Sequence, residues 1–367
     1  MTTAPVSAVI LAAGEGSRMR STRPKPLHML CGRPMLLYVL DALSEVPLER
    51  VVVVVGHGAE RVTKKVQELA DPRIEFVEQR VQRGTGDALS VALTIFPDAD
   101  PDDGDDLLVL PGDTPLLQPS TISALVALHQ DADAAATVLS AELADPTGYG
   151  RVVRGREGRV ARIVEERDAS PEEAAITEVN TSIYCFRRSL LAPALRRLTP
   201  GNAQGEYYLT DVIGVLADAG YRVGSMVAPN PVETNGVNDR RQLATAEAVL
   251  RARTNARLLA EGVTMVDPTR TYVDTTVTIG ADVTLFPGTL LQGRTVIGEG
   301  AEIGPDVHLV DTVVGPGARV QHTVARDAEV GADASVGPYA VLSPGDEVPD
   351  GAVTGPFYTA QRETHRD

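Results

Sequence analysis

The sequence has no tryptophan, and aromatic residues make up only 4% of it, which argues against the stacked-aromatic platforms that bind nucleic-acid bases. Two cysteines occur, Cys31 and Cys185. Neither stands at metal-ligand spacing, so neither a disulfide framework nor a zinc site is expected. Positive charge is in deficit: 34 Lys and Arg against 50 Asp and Glu leave a formal net charge of -16, the wrong sign for a nucleic-acid partner. No apolar run reaches membrane-spanning length and no cleavable leader opens the chain, so a soluble, cytoplasmic protein without a membrane partner is expected.

Two phosphate-binding patterns are also missing. No Gly-Lys-Ser/Thr follows four residues after a glycine, as a P-loop requires, and the Gly-x-Gly-x-x-Gly dinucleotide fingerprint does not occur. A different glycine-rich run is present: Leu11-Ala12-Ala13-Gly14-Glu15-Gly16-Ser17-Arg18-Met19, followed by Pro24-Lys25-Pro26. It closes a short apolar run, and its backbone N–H groups can cradle an anion. Arg18, Arg20, Arg23, Lys25 and Arg33 concentrate positive charge here in an otherwise acidic chain. A solvated surface turn is the bland alternative, but the run is long, and it resembles the triphosphate-binding signature of sugar-phosphate nucleotidyltransferases.

At 367 residues, 43% of them hydrophobic, the chain is long enough for at least two packed domains. Residues 6 to about 230 alternate buried strand-like runs (Val6–Leu11, Val51–Val55, Ile74–Val77, Leu107–Leu110, Ala134–Leu139) with amphipathic segments that read as helices. Such βαβα alternation implies a largely parallel, Rossmann-like sheet whose ligands bind beyond the strand carboxyl ends. An Ala-, Leu- and Arg-rich stretch over 238–262 reads as a connector helix closed by Gly262. Beyond Tyr272 aliphatic residues recur every six positions, from Val273 through Ile279, Leu285, Leu291, Ile297 and Ile303 to Leu309, and then less regularly to Val348. Hexapeptide repeats of this kind build a parallel β-helix, here of roughly four coils at three rungs each. The expected organisation is a nucleotidyltransferase domain over 1–237, the connector over 238–262, a short left-handed β-helix over 263–354 and a polar tail over 355–367.

Leu108-Val109-Leu110-Pro111-Gly112-Asp113-Thr114-Pro115 puts a carboxylate just past a buried strand. That suits Mg²⁺, which takes one or two protein oxygens beside phosphates and water, although Gly-Asp-x-Pro is also ordinary turn chemistry. Gln79, ahead of Gly84-Thr85-Gly86, offers an amide that can read donor and acceptor edges of a base. Thr85 is equally a good helix cap. Polar clusters around Gly150, Glu165, Asn180 and Tyr207-Tyr208-Leu209-Thr210 could bond sugar hydroxyls, though each by itself reads as loop, exposed strand face or cap.

In their common order these motifs resemble the bifunctional family that joins an N-acetylglucosamine-1-phosphate uridyltransferase to a glucosamine-1-phosphate acetyltransferase, a likeness running from residue 6 to about 350. By that resemblance Leu11, Ala13, Gly14, Gln79, Gly84 and Thr85 bind UTP, with Arg18 and Lys25 as the catalytic cations on its phosphates. Asp113 and Asn238 would hold Mg²⁺, and Gly150, Glu165, Asn180, Tyr208 and Thr210 would contact the sugar 1-phosphate. The expected reaction is Mg²⁺-dependent transfer of UMP from UTP to N-acetylglucosamine 1-phosphate, in a homotrimer. Two departures stand out. The β-helix of the family continues further and carries a histidine base, whereas this sequence ends at Asp367 with Ser343 where the family has arginine; acetyl transfer is therefore expected to be absent. Ser182 stands where glycine is usual, which bears on the fit of the sugar. A sibling enzyme for another sugar phosphate, and a non-catalytic nucleotide-sugar-binding subunit, are the rival readings.

Overall fold

The structure is a computed structural model and describes residues 4–69, 73–97, 105–155 and 158–360; the last seven residues of the expected tail fall outside them. The chain divides into two compact units, Met1–His28 with Pro34–Leu243 and Met29–Arg33 with Ala244–Asp367.

In the first unit nine strands form one sheet: β1 (Val6–Ala12), β2 (Leu48–Val55), β3 (Ile74–Glu78), β4 (Asp106–Pro111), β5 (Ala136–Glu142), β6 (Arg151–Arg154), β7 (Val160–Val164), β8 (Glu178–Arg187) and β9 (Val223–Val227). The main path runs β9-β5-β8-β4-β1-β2-β3, with β6 and β7 branching from β8. Unbroken apolar runs form the central strands β1, β2 and β4 because both faces are covered. Along β1, Val9 packs into one core while Ala8 and Ile10 pack into the other; β2 and β4 alternate in the same way. One core is closed by α3 (Thr85–Leu93), α6 (Arg188–Leu195) and α7 (Asp211–Asp218), while the one-turn helix α5 (Pro171–Ala174) falls between β7 and β8 along the chain. The opposite core is closed by α1 (Met35–Asp41), α2 (Ala59–Leu69) and α4 (Pro119–Asp131).

The expectation of a largely parallel sheet holds for the strands it named, but β8 runs antiparallel between β4 and β5. This reversal has a functional consequence. The start of β8 lies at the same edge as the carboxyl ends of its neighbours, so Asn180, Thr181 and Ser182 reach the mouth of the sheet. There the pairing of β8 with β5 slips between Asn180 and Ile183, and Ser182 takes a left-handed φ of 61°.

The long helix α8 (Arg240–Ala260) is capped at its start by Asp239, whose Oδ1 accepts the Gln242 N–H at 2.8 Å. It ends before Gly262, whose φ of 95° suits the left-handed turn beyond a helix.

In the second unit, short strands stack into three parallel sheets of five, one per side of a left-handed parallel β-helix. There are thus five coils rather than four. The two rungs that escaped the six-residue pattern are Met265, ahead of its start, and Ala325, where a small side chain fills the aliphatic position. Leu285, Leu291, Ile303, Leu309 and Ala325 point into the prism with no exposure. Fully buried threonines line some corners, their hydroxyls donating to nearby carbonyls: Thr289 to Phe286 O and Thr295 to Gln292 O, each at 2.7 Å.

Candidate active site

The carboxyl ends of the parallel strands open onto a cleft of about 660 Å³ within the first unit. It is lined by Leu11, Ala13, Gly14, Lys25, Gln79, Gly84, Thr85, Asp113, Gly150, Glu165, Asn180, Tyr208, Thr210 and Asn238. Every site residue singled out in the sequence is therefore on one surface except Arg18. That side chain sits exposed on the short 3₁₀ turn Ser17–Met19, outside the cleft lining.

The glycine-rich loop leaves β1 at Ala12. Gly16 has φ 64°, and a Cβ there would meet the Lys25 Cβ at 2.8 Å, so the bare backbone lets Lys25 fold under the loop. Gly14 differs: a Cβ on it would meet nothing within 4 Å, so its bareness leaves open space on the cleft side. The loop is tied to the following segments by Ala13 O, which accepts from Gln82 Nε2 at 2.8 Å.

Lys25 Nζ donates to the Asp113 carboxylate and, at 2.8 Å, to Asn238 Oδ1. Two hard oxygens from distant segments thus converge on one cation. The backbone holds them there, since Val237 N–H donates to Asp113 O at 2.8 Å. An all-oxygen pair already gathered around a positive charge fits Mg²⁺, which needs few protein ligands. Among the described residues no group of three or more His, Cys, Asp and Glu could hold a metal ion. Nearby, the half-buried Tyr149 phenol is pushed up, first by burial and then by the Asp113 charge.

Gln79 is buried, and its Nε2 donates to Asp87 Oδ2 at 2.8 Å and to Gly84 O at 3.2 Å. The acceptor Oε1 is what it has left for a ligand. Gly84 takes φ 108°, and a Cβ there would meet Tyr207 O at 2.6 Å, so the loop before α3 requires glycine. Thr85 is not a cap; Gly84 holds that place, and the Thr85 hydroxyl accepts the Leu209 N–H at 3.0 Å.

On the other wall Thr210 Oγ1 donates to Glu165 Oε1 at 3.1 Å. Burial raises the Glu165 pKa, the Thr210 bond partly offsets this, and Asp211 and Asp168 push it up further. Gly150 O accepts the Asn180 N–H at 2.8 Å, and Tyr208 OH accepts from Gln204 Nε2 at 2.8 Å.

Sequence reading missed Tyr184, whose hydroxyl accepts from Asn180 Nδ2 at 2.8 Å and which also lines the cleft. In the sequence it is one apolar-looking residue among others, and only the pairing of β8, which sets it opposite Val109 and Val138, brings its hydroxyl beside Asn180. Gln82, Tyr149 and Gln204 also line the cleft; they belong to the polar runs marked in the sequence, but no periodicity singles out one loop residue within such a run.

The profile of the MobA-like NTP transferase domain matches residues 8–213. The bifunctional protein GlmU of Streptomyces avermitilis is 48% identical over 354 residues, covering 96% of this chain and 73% of that protein. The chain belongs to the GlmU family. GlmU of Brevibacillus brevis is 44% identical over 352 residues, with 96% and 75% of the two chains covered. GlmU of Pelotomaculum thermopropionicum is 46% identical over 365 residues, with 99% and 78% covered. The crystal structure of UDP-glucose pyrophosphorylase complexed with UDP-glucose shares the fold, at a TM-score of 0.54 and 17% identity over 68% of this chain and 99% of that one. The chain is thus a sugar-phosphate nucleotidyltransferase of the GlmU family, and among the described residues no helix is long and apolar enough to cross a membrane.

Proposed function

We propose that the cleft transfers UMP from UTP to N-acetylglucosamine 1-phosphate, releasing pyrophosphate and UDP-N-acetylglucosamine. The observation that carries this reading is the convergence of Lys25, Asp113 and Asn238 in the cleft that also holds the glycine-rich loop, Gln79 and the Glu165–Thr210 pair. Leu11, Ala13, Gly14, Gly84 and Thr85 would frame the nucleotide. Gln79 favours uracil over cytosine: its remaining Oε1 is an acceptor, and uracil carries a donor at N3 where cytosine carries an acceptor.

The sugar phosphate is already ionised at neutral pH, so the attacking oxygen needs no general base. Catalysis then rests on alignment of that oxygen with the α-phosphorus and on charge neutralisation. Asp113 and Asn238 would hold Mg²⁺, which when bound neutralises the triphosphate. Lys25, released from those oxygens, is the nearest cation for the phosphates. Arg18 keeps only the role of a neighbouring positive charge, able to reach phosphates if its exposed side chain turns inward. Glu165, Thr210, Asn180, Tyr208 and the Gly150 backbone would hold the sugar hydroxyls and acetamido group.

Acetyl transfer is not part of this reading. Attack by an amine on a thioester needs a base, and both histidines of the described β-helix are engaged, His308 Nε2 with Gln292 Oε1 at 2.8 Å and His322 stacked on Tyr339. The regular prism is proposed to assemble a homotrimer, and charged substrates of this kind favour a cytoplasmic enzyme. Pyrophosphate release, measured for UTP, CTP and ATP against several sugar 1-phosphates, tests the proposal. UTP with N-acetylglucosamine 1-phosphate is the expected best pair; a clear preference for another pair would move the chain to a sibling specificity.

A further inference from the structure

Helix α4 begins Gln118-Pro119-Ser120-Thr121, and the Gln118 side chain makes no cap bond of its own. The first N–H groups of a helix have no partner within it, and here the partner comes from far along the chain. Glu233, only 3% exposed, accepts from Gln118 N at 3.1 Å and from Thr121 Oγ1 at 2.8 Å. A carboxylate buried this deeply needs such compensation, and the positive end of the helix adds to it.

The position of this contact matters more than its strength. Asp113 lies on the segment leading into α4, and Glu233 sits on the 3₁₀ turn Pro231–Thr234 that leads to Asn238. The Val237 N–H donates to Asp113 O at 2.8 Å. Residues 113–118 and 233–237 therefore form a closed circuit, joined at one end by Glu233 on the helix start and at the other by Val237 on Asp113. Asn238 follows immediately, its N–H accepted by Gln242 Oε1 at 2.7 Å and its Oδ1 facing Lys25. A helix cap alone would need no such closure; a circuit with two joints fixes one segment against the other.

We infer that Glu233 is a positioning residue for the divalent ion, latching the segment that carries Asn238 onto the helix that follows Asp113 so that both oxygens face one cation. This rests on the reading of Asp113 and Asn238 as the ion-holding pair. Glu233, Gln118 and Thr121 lie outside the cleft lining, so loss of the latch should weaken ion binding while leaving metal-free contacts to the nucleotide intact.

The test follows assembly of the protein–Mn²⁺–UTP complex by water-proton relaxation, without turnover, in Glu233→Ala, Glu233→Gln, Thr121→Val and Asp113→Asn. Residues that orient metal ligands typically contribute 10–100-fold in affinity, so Glu233→Ala should raise the half-saturating Mn²⁺ about tenfold. UTP binding measured without metal should be unchanged. Glu233→Gln, which keeps an acceptor oxygen, should recover most of the loss, and Thr121→Val should shift in the same direction by less. An unchanged Mn²⁺ requirement in folded Glu233→Ala, with Asp113→Asn impaired, would overturn the latch and leave Glu233 a helix cap. Should Glu233→Ala not fold, an unchanged value in Thr121→Val, which removes one of the two donors to Glu233, would overturn it equally. If Asp113→Asn is also unaffected, the ion site itself falls and the latch with it.

Discussion

Lys25 Nζ donates to Asn238 Oδ1 across 2.8 Å, although 213 positions separate the two residues in the chain. The same ammonium binds the Asp113 carboxylate, so a tethered cation stands where two oxygens would grip a divalent one. On the proposed reading lysine and ion would compete for this place, the two oxygens holding the ion and the lysine serving the phosphates.

Lys25→Ala is accordingly expected to move two quantities in opposite directions. Turnover should fall by about 10²–10³, the usual effect of losing one transition-state charge contact. Mn²⁺ binding by the protein without nucleotide should tighten, because the competing ammonium has gone. Near-normal turnover in the purified variant would remove Lys25 from the catalytic role, and weaker Mn²⁺ binding would remove the competition.

Gln79→Ala should erode selection between uracil and cytosine. A net hydrogen bond is worth about 1 kcal/mol, so the preference for UTP over CTP should shrink roughly fivefold. Competition kinetics with the two nucleotides read this directly; an unchanged ratio would mean that another group reads the base.

Glu165 supplies a pH-dependent test. Its carboxyl sits above the ordinary value of 4.5 because burial disfavours the charge. A raised pKa in the folded state means the folded chain holds the proton more tightly. The contribution of this group to stability is therefore largest below the unfolded value and is lost as pH rises through the folded one. Glu165→Gln removes the buried charge and should be more stable than the parent near neutral pH, with the gap closing as pH falls toward 4.5. Denaturation midpoints across that range decide it, and a gap that widens toward acid would contradict the assignment.

Ser182→Gly addresses the slipped start of β8. The left-handed region, where Ser182 lies at φ 61°, costs an L-residue roughly 1–2 kcal/mol. Glycine avoids that cost, against roughly 0.5–1 kcal/mol of added chain entropy. A net stabilisation of up to about 1 kcal/mol is expected, seen as a higher urea midpoint with an unchanged slope. A lower midpoint would mean that bonds of the serine side chain outweigh the strain.

Much of this molecule is written in local spacing. The glycine-rich loop after an apolar run, the six-residue aliphatic period and the alternation of strand and helix each arise from short-range sterics and from burial of one face, so the sequence alone carries both folds and the nucleotide end of the site. Even the irregular features here are local in origin, as at Ala325, where a small rung interrupts the pattern without interrupting the prism. What tertiary structure decided are the meetings of residues with no common period. It reversed β8, bringing Asn180 and Ser182 to the cleft. It left Arg18 outside the cleft, although the sequence sets it beside the glycine loop. It also gathered Lys25, Asp113 and Asn238 around one point and set Glu233 on the start of α4. Spacing along a strand or helix determines which face a side chain takes, but contacts across such distances depend on strand order and loop path, which are settled only when the two cores pack on either side of the sheet.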